Sequence, residues 1–325
     1  MKTASVGAVP VPWPLPATST IRTRTAGCMN LRDLAWPLRI YWDLPERSSD
    51  SCLCIKVCDD IAEIKILFLS LRDTAPATSQ CCIEVIDRLR GRNIGLSLAV
   101  SGSALTPELA GRLVGLSVKT LLAEASSLND VRSLIGKTGG DWKEDLPLGI
   151  SFEVGRGNYR ELPELVSFCM NNRIRDLVFP IQRLETGKEV FYVGKREREE
   201  ISRRLGGMDH SMIRLTIHDP FLWDVFFPNT DYHEGGCQAA NSMLYISPSY
   251  KVYPCPAMPI ELGDLHETSL REIVLSGKKK QLRNSLLSPP GECAVCDRAG
   301  KCLGGCRGRA YAVTGSLDRA DPACR

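Results

Sequence analysis

The chain of 325 residues has no long apolar stretch and no strong excess of charge of either sign. Its formal net charge is +3 at pH 7, which gives no general case for a nucleic-acid-binding protein. No segment is long and apolar enough to cross a membrane. Four prolines, at positions 10, 12, 14 and 16, interrupt any continuous apolar core of an N-terminal export signal. We therefore expect a cytoplasmic protein with no membrane and no nucleic acid partner.

Acidic residues are absent from the first 28 positions, which are rich in Pro, Thr and Arg. This composition is typical of a disordered segment, or of an extension upstream of the natural start. Met29 opens a more ordinary sequence, Met-Asn-Leu-Arg-Asp-Leu, and we expect the natural start there.

Cysteine, in contrast, is abundant, and seven of the fourteen cysteines lie in the last 89 residues. These seven are Cys237, Cys255, Cys293, Cys296, Cys302, Cys306 and Cys324. Disulfides would require an oxidising compartment and usually a small domain that lacks a core. A chain of this length with 43% hydrophobic residues can bury a large core without them. The pattern therefore favours metal binding.

The local spacing indicates which metal chemistry is expected. Two residues between Cys293 and Cys296 allow both sulfurs to face one metal from a single tight turn. Glycines 300, 304, 305 and 308 lie among the later cysteines, where sharp turns can bring backbone N–H groups close to sulfur. Zinc is the alternative, but seven cysteines do not divide into four-thiolate zinc sites. Two iron–sulfur clusters fit better, one with four thiolates and one with three plus an open or non-cysteine position.

The cysteine pattern and the sequence between the cysteines resemble the SPASM domain, an auxiliary iron–sulfur module of many radical SAM peptide-modifying enzymes. The matching segments are Ile246–Pro248, Lys251–Cys255, Leu262–Leu265, Ser269–Leu270, Gly304–Arg307 and Asp321–Cys324. One departure is Tyr250, which stands where the family usually turns on glycine.

The resemblance implies two interleaved ligand sets, each expected to hold a cluster of the [4Fe–4S] type. The first auxiliary cluster would be held by Cys237, Cys255 and Cys306. The second would be held by Cys293, Cys296, Cys302 and Cys324. His233 is close enough in sequence to be considered as a fourth ligand of the first cluster, but an ordinary loop histidine is the better interpretation.

From about Leu38, short apolar runs alternate with amphipathic stretches, which predicts parallel βα units. The expected strands are 39–44, 64–71, 94–100, 120–123, 148–154, 177–181 and 212–217. The expected helices are 79–90, 107–116, 128–137, 161–172 and 195–205. This α/β order is compatible with the partial (β/α)6 TIM-like barrel of radical SAM enzymes, followed by the small cysteine-rich domain. We expect the barrel over residues 29–220 and the SPASM domain over 221–325.

Two marks of the radical SAM family are missing from the expected barrel. The family carries Cys-x3-Cys-x2-Cys after its first strand, whereas Cys52, Cys54 and Cys58 have spacings of one and three, and the third position falls on Ile61. The Gly-Gly-Glu turn after the second strand is absent, and the corresponding stretch is Phe68–Asp73. We expect that S-adenosylmethionine is not bound, that Cys52, Cys54 and Cys58 are spare thiols, and that Cys81, Cys82 and Cys169 are core residues.

The chain resembles, by this combination, the SPASM-domain companion protein of GeoRSP peptide-maturation systems. The resemblance implies an accessory iron–sulfur protein that transfers electrons or docks substrate. Its implied partners are a radical SAM/SPASM maturase, a PqqD-like peptide-binding protein and a substrate peptide. One alternative is an active radical SAM peptide-modifying enzyme with a divergent cluster site at Cys52, Cys54 and Cys58. Another is a zinc-stabilised binding module.

Overall fold

The fold is that of a computed structural model, which describes residues 33–45, 51–73, 80–114, 116, 118–137, 148–228, 230, 232 and 236–324. These residues belong to one unit that begins at Arg32. The expectations for residues 1–28, for a start at Met29 and for His233 lie outside the described residues. Among the described residues, no helix combines the length and the apolar character needed to cross a bilayer.

Strands and helices alternate through the first two thirds of the chain. The strands are β1 Arg39–Asp43, β2 Phe68–Asp73, β3 Gly95–Ser101, β4 Val118–Ala125, β5 Leu148–Phe152, β6 Asp176–Phe179, β7 Arg214–Ile217, β8 Met243–Ile246, β9 Lys251–Tyr253 and β10 Gly263–Asp264. The helices are α1 Ser51–Ile64, α2 Gln80–Leu89, α3 Pro107–Val114, α4 Leu128–Lys137, α5 Leu162–Asn171, α6 Lys195–Leu205, α7 Pro220–Phe226, α8 Leu270–Leu275, α9 Gly277–Leu287, α10 Ala299–Cys302 and α11 Arg307–Thr314. Short 3-10 turns are formed by Tyr159–Glu161, Gly291–Cys293 and Pro322–Cys324.

The strands form a ten-stranded sheet in the order β10-β9-β8-β1-β2-β3-β4-β5-β6-β7. Strands β1 to β7 pair in parallel with their sequence neighbours, as the alternation of apolar runs and helices predicts. Strand β8 joins the other side of β1, also in parallel, and β9 and β10 add antiparallel strands. The sheet therefore continues from the βα units into the C-terminal, cysteine-rich part of the chain.

The two faces of the sheet differ sharply in polarity. In β2, Leu69 and Leu71 are buried on the face that the helices cover, whereas Ser70 and Arg72 lie on the other face and are partly exposed. The same alternation recurs in β4, where Leu121 and Ala123 are fully buried. The parallel register aligns these residues across strands, so one face is the apolar core and the other is a polar inner surface.

Two elements depart from the sequence-based expectation. The second strand was expected to begin at Ile64, which is wrong, because Ile64 is the last residue of α1. Helix α1 ends where Lys65 takes a left-handed φ of 55°, and β2 begins only at Phe68. The second element is α1, Ser51–Ile64, for which the sequence gave no helix prediction.

Tyr250 forms the β8–β9 turn despite the absence of glycine. Its φ is 59°, in the left-handed region, and its backbone N–H donates to the Ser247 carbonyl at 2.9 Å. The side chain is buried, and its ring packs edge-on against His266 at a centroid distance of 5.5 Å. Burial of an aromatic ring offsets the backbone strain that a non-glycine residue carries in this conformation.

Candidate metal centres

The seven C-terminal cysteines lie on turns and at the ends of short elements. Cys237 precedes β8, Cys255 follows β9, and Cys306 is the N-cap residue of α11. Cys293 and Cys324 end short 3-10 turns, and Cys302 is the last residue of α10. Thiols at the ends of elements can face a common centre because no regular hydrogen-bond ladder fixes the direction of the chain there.

The electrostatic neighbours of Cys237, Cys255 and Cys306 include one another. Burial raises the pKa of the Cys255 thiol well above its usual value, and the charges of Cys237 and Cys306 raise it further. Burial raises the pKa of Cys306 to about 12, with Cys237 among the contributing charges. These three residues are those expected to hold the first auxiliary cluster. Metal coordination would convert the mutual repulsion of three thiolates into ligation.

The remaining four cysteines form a second neighbourhood. Burial raises the pKa of Cys293, and the charges of Cys302, Cys324 and Cys296 raise it further. Cys324 also contributes to the raised pKa of Cys302. The resemblance places these four residues in the second ligand set, which stays a prediction.

Backbone amides point at several of these sulfurs. The Arg309 amide donates to the Cys306 sulfur at 3.4 Å, and the amides of Gly304 and Gly305 donate to Cys302. Amides of Ala257 and Met258 donate to Cys255. Such N–H···S bonds stabilise thiolates and tune the potential of an iron–sulfur cluster.

Glycine is required where these segments approach one another. A Cβ atom on Gly308 would lie 2.3 Å from the Ala257 carbonyl oxygen, which is far inside contact distance. Gly305 has a φ of 72°, and a Cβ there would lie 2.7 Å from the Cβ of Asp321. Gly308 thus allows the start of α11, and with it Cys306, to approach the segment after Cys255.

Buried guanidinium groups surround the cysteines. Arg307 is 2% exposed and hydrogen-bonds to the backbone carbonyls of Ser285, Ser288, Leu303 and Leu317. Burial lowers its pKa, and the opposing electrostatic contributions come first from Cys237 and Cys293, one cysteine from each set. No carboxylate in the described part of the chain forms an ion pair with Arg307. A buried cation with thiolates on both sides suits two anionic clusters.

A second buried arginine, Arg309, connects the barrel to the C-terminal tail. Its side chain is 3% exposed and makes two bonds to Asp321, at 2.7 and 2.8 Å, and an ion pair to Asp219. Asp219 is also the N-cap of α7, where its side chain accepts from the amides of Phe221 and Leu222. Asp321 accepts from the Cys306 amide at 2.7 Å. This network fixes Cys306 relative to Cys324, three residues after Asp321.

The donor set therefore fits iron–sulfur clusters: thiols in two groups, amides aimed at sulfur, and buried cations. Within the described ranges, no three cysteine, histidine or carboxylate side chains already converge in a metal-binding arrangement. The assignment of each cysteine to a cluster stays a prediction.

The N-terminal cysteines occupy a different environment. Cys54 and Cys58 lie one turn apart on the buried side of α1, at 2% and 1% exposure, whereas Cys52 on the same helix is exposed. Cys81, Cys82 and Cys169 are buried on α2 and α5, and the expectation that they are core residues is confirmed. The expectation of spare thiols agrees with an exposed Cys52 and a packed Cys54 and Cys58.

Paired charges fill the polar inner surface at the carboxyl ends of the strands. Arg183 makes two bonds to the Asp43 carboxylate, at 2.7 and 3.0 Å, and the Tyr245 hydroxyl donates to the same carboxylate at 3.1 Å. Burial and the nearby Asp43 charge raise the pKa of Tyr245. Arg72 makes two bonds to Glu124, at 2.5 and 3.1 Å. The end of β2, where the Gly-Gly-Glu turn would follow, is thus anchored by an ion pair.

Sequence reasoning missed this network, because its members come from five separate segments. Asp43 and Arg183 are 140 positions apart, and Asp43 and Tyr245 are 202 apart. The usable signal was the position of Asp43, Arg72 and Glu124 near the carboxyl ends of predicted parallel strands, where barrel sites form.

A small pocket with a cavity volume of about 50 Å³, open on one side, lies beside the first cysteine group. Its wall is mainly apolar and includes Phe179, Phe191 and Leu222, while Cys306 and Arg309 line its C-terminal side. Because Phe179 ends β6 and His218 follows β7, the pocket lies at the carboxyl ends of barrel strands.

Comparisons with known proteins agree with these features. Residues 237–297 match the SPASM family, described as an iron–sulfur cluster-binding domain. The PqqA peptide cyclase of Granulibacter bethesdensis is 24% identical over 297 residues, which cover 83% of this chain and 77% of the cyclase. The AdoMet-dependent heme synthase of Methanosarcina barkeri is 24% identical over 298 residues, covering 82% of this chain and 84% of the synthase.

Solved structures show the same fold. SuiB of Streptococcus suis bound to S-adenosylmethionine superposes with a TM-score of 0.67 at 14% identity, covering 91% of this chain and 79% of SuiB. SuiB bound to its precursor peptide SuiA gives a TM-score of 0.66 at 13% identity, covering 91% of this chain and 77% of that chain. Residues 237–297 are therefore similar to the SPASM iron–sulfur cluster-binding domain, and the chain shares the fold of SuiB.

Proposed function

We propose that this protein is an iron–sulfur accessory protein of a radical SAM peptide-maturation system. It holds two auxiliary clusters, transfers electrons to or docks substrate on a partner maturase, and does not itself cleave S-adenosylmethionine. The observation that carries the proposal is the contrast between its two cysteine groups. The C-terminal thiols lie among amide donors and buried arginines, whereas Cys54 and Cys58 are packed in the core.

The helical position of the N-terminal cysteines supports the loss of the catalytic cluster. A cluster held after the first strand needs three thiolates that face one open centre. Here Cys54 and Cys58 lie within α1 and face the apolar core, while Cys52 is exposed. Hydrogen bonding with Cys58, together with burial, raises the pKa of Cys54 to about 12 despite an opposing bond with Cys81.

The ion pairs on the inner surface support the loss of cofactor binding. The guanidinium groups of Arg72 and Arg183 are engaged with Glu124 and Asp43, so a charged ligand there would have to displace bonds that already satisfy them. The barrel mouth then serves peptide or partner binding.

A peptide substrate is supported by the relatives. PqqA peptide cyclases are named for a peptide, and SuiB was solved with the precursor peptide SuiA. We also propose a radical SAM/SPASM maturase and a PqqD-like peptide-binding protein as partners, as the sequence resemblance implies. The pocket beside Cys306 is a suitable place for a peptide to approach the first cluster.

The deciding experiment is reductive cleavage of S-adenosylmethionine by anaerobically reconstituted full-length protein. We expect about eight irons per chain, as two [4Fe–4S] clusters require, and no 5′-deoxyadenosine above the protein-free control. The Cys54→Ala variant should keep the same iron content. An authentic radical SAM enzyme, assayed in parallel, shows that the reductant is competent.

Other outcomes identify the alternatives. About twelve irons per chain, with cleavage abolished by Cys54→Ala, would establish an active enzyme with a divergent cluster site. A colourless protein that holds only zinc would establish the zinc-stabilised binding module.

A further inference from the structure

Two thiols outside both proposed cluster sites lie in direct contact. The Cys54 sulfur on α1 and the Cys81 sulfur on α2 are 2.8 Å apart, although the residues are 27 positions apart in the chain. Both side chains are 2% exposed. We propose that Cys54 and Cys81 can be oxidised to a disulfide, which joins α1 to α2 covalently.

The distance distinguishes a disulfide from a shared metal ion. Two thiolates on one tetrahedral zinc ion, each at about 2.3 Å from the metal, lie about 3.8 Å apart. The Cys54 and Cys81 sulfurs are closer than that and need to approach by less than 1 Å, on the order of a side-chain adjustment, to reach a covalent S–S bond of about 2.05 Å. The pair is therefore arranged for a bond between the sulfurs.

The surroundings of the two sulfurs also favour an uncharged disulfide over thiolates. Hydrogen bonding with Cys54, followed by burial, raises the pKa of the Cys81 thiol. An uncharged disulfide in this environment avoids the cost of burying a thiolate. Burial also protects a disulfide, once formed, from reductants in solution.

The contact belongs to two helices that pack side by side. Val57 and Ile61 of α1 and Val85 of α2 are buried in the same core. The other end of α1 contacts α8. The Leu270 amide donates to the Asp60 carboxylate at 2.9 Å, and Arg271 forms an ion pair with Glu63. A Cys54–Cys81 bond would add a covalent link at the N-terminal ends of α1 and α2.

The reaction requires an oxidant of the peroxide class. Each thiol loses its proton and one electron, the S–S bond forms, and the O–O bond of hydrogen peroxide breaks. The peroxide accepts the two protons and two electrons and becomes two water molecules. Hydrogen peroxide is small enough to reach a pair of sulfurs during local opening of the first helical turn.

Peptide mapping of the full-length protein tests the proposal. The protein is treated with hydrogen peroxide, its remaining thiols are blocked under denaturing conditions, and it is digested with trypsin without reduction. Cleavage after Lys56 separates Cys54 from Cys58, so the expected product joins a peptide with Cys52 and Cys54 to one with Cys81 and Cys82. The two sulfurs lose their capacity for blocking.

Matched variants assign the bond. Cys52→Ala and Cys82→Ala should retain the linked peptides, whereas Cys54→Ala and Cys81→Ala should abolish them. A fully oxidised wild-type protein that lacks these linked peptides would overturn the proposal, as would a link that contains Cys58 instead. Peptide mapping of the wild-type protein tests the proposal without any variant. A variant that fails to fold therefore does not prevent the test. The outcome is also independent of the S-adenosylmethionine assay.

Discussion

The two cysteine-rich regions of this chain contain the same side chain in opposite physical settings. In the C-terminal region, Cys302 and Cys306 end or begin short elements and receive backbone N–H bonds. In the N-terminal region, Cys54 and Cys58 are interior residues of a fourteen-residue helix whose amides bond along the helix. The backbone around a thiol, more than the number of cysteines, therefore decides whether that thiol is suited to bind a metal or to pack in the core.

Loss of a proposed cluster ligand should give the largest effect on iron content and stability. Cys255→Ala should remove about four irons per chain and lower the melting temperature, since a cluster that binds only the folded state contributes to folding. The matched control is Cys169→Ala, which removes an equally buried sulfur from α5 and should leave iron unchanged. Iron analysis and visible absorption measure both. Equal iron in the two variants would remove Cys255 from the ligand set.

The Arg309 network should give the next largest effect. Arg309→Met leaves Asp321 buried without its cationic partner, which we expect to cost about 3–5 kcal/mol of unfolding free energy. The control is Arg156→Met, whose ion pair with Glu189 is exposed on both sides and contributes about 0–1 kcal/mol. Chemical denaturation of both variants measures the difference. A small effect of Arg309→Met would show that the tail is held by other contacts.

Substitution of Gly308 should weaken the C-terminal region by a smaller amount. Gly308→Ala places a methyl group against the Ala257 carbonyl and displaces α11, so Cys306 moves away from Cys255. We expect a partial loss of iron and a destabilisation of about 1–3 kcal/mol, as for other overpacked sites. Gly277→Ala has open space around the added methyl and serves as the control. Full iron in Gly308→Ala would contradict the close approach.

The smallest effect is a pH dependence of the N-terminal region. The pKa of Cys54 is raised to about 12 in the folded protein, against about 8.5 for an unfolded thiol. The folded state therefore favours the protonated thiol, and its contribution to stability is complete below pH 8.5 and is lost as the pH rises towards 12. Denaturation of cluster-free protein between pH 7 and 10 should show a decline that Cys54→Ala reduces. An equal decline in both would assign it to other groups.

The chain pattern predicted the parallel barrel because each βα unit carries its own local periodicity. Helices α4 and α6 occur at their predicted boundaries. The predicted start of β2 was wrong because the run from Ile64 to Leu71, apolar apart from Lys65 and Ser70, spans both the end of α1 and most of β2. The apolar pattern alone does not show that the chain turns at Lys65.

The cysteine spacing alone predicted a metal-binding C-terminal region, since spacing and nearby glycines limit what a short segment can reach. Only the tertiary structure decided that Cys54 meets Cys81, that Arg183 meets Asp43 and that Arg309 joins Asp219 to Asp321. These contacts join residues 12 to 140 positions apart. Their formation depends on how helices and strands pack over the whole sheet, which no local pattern encodes.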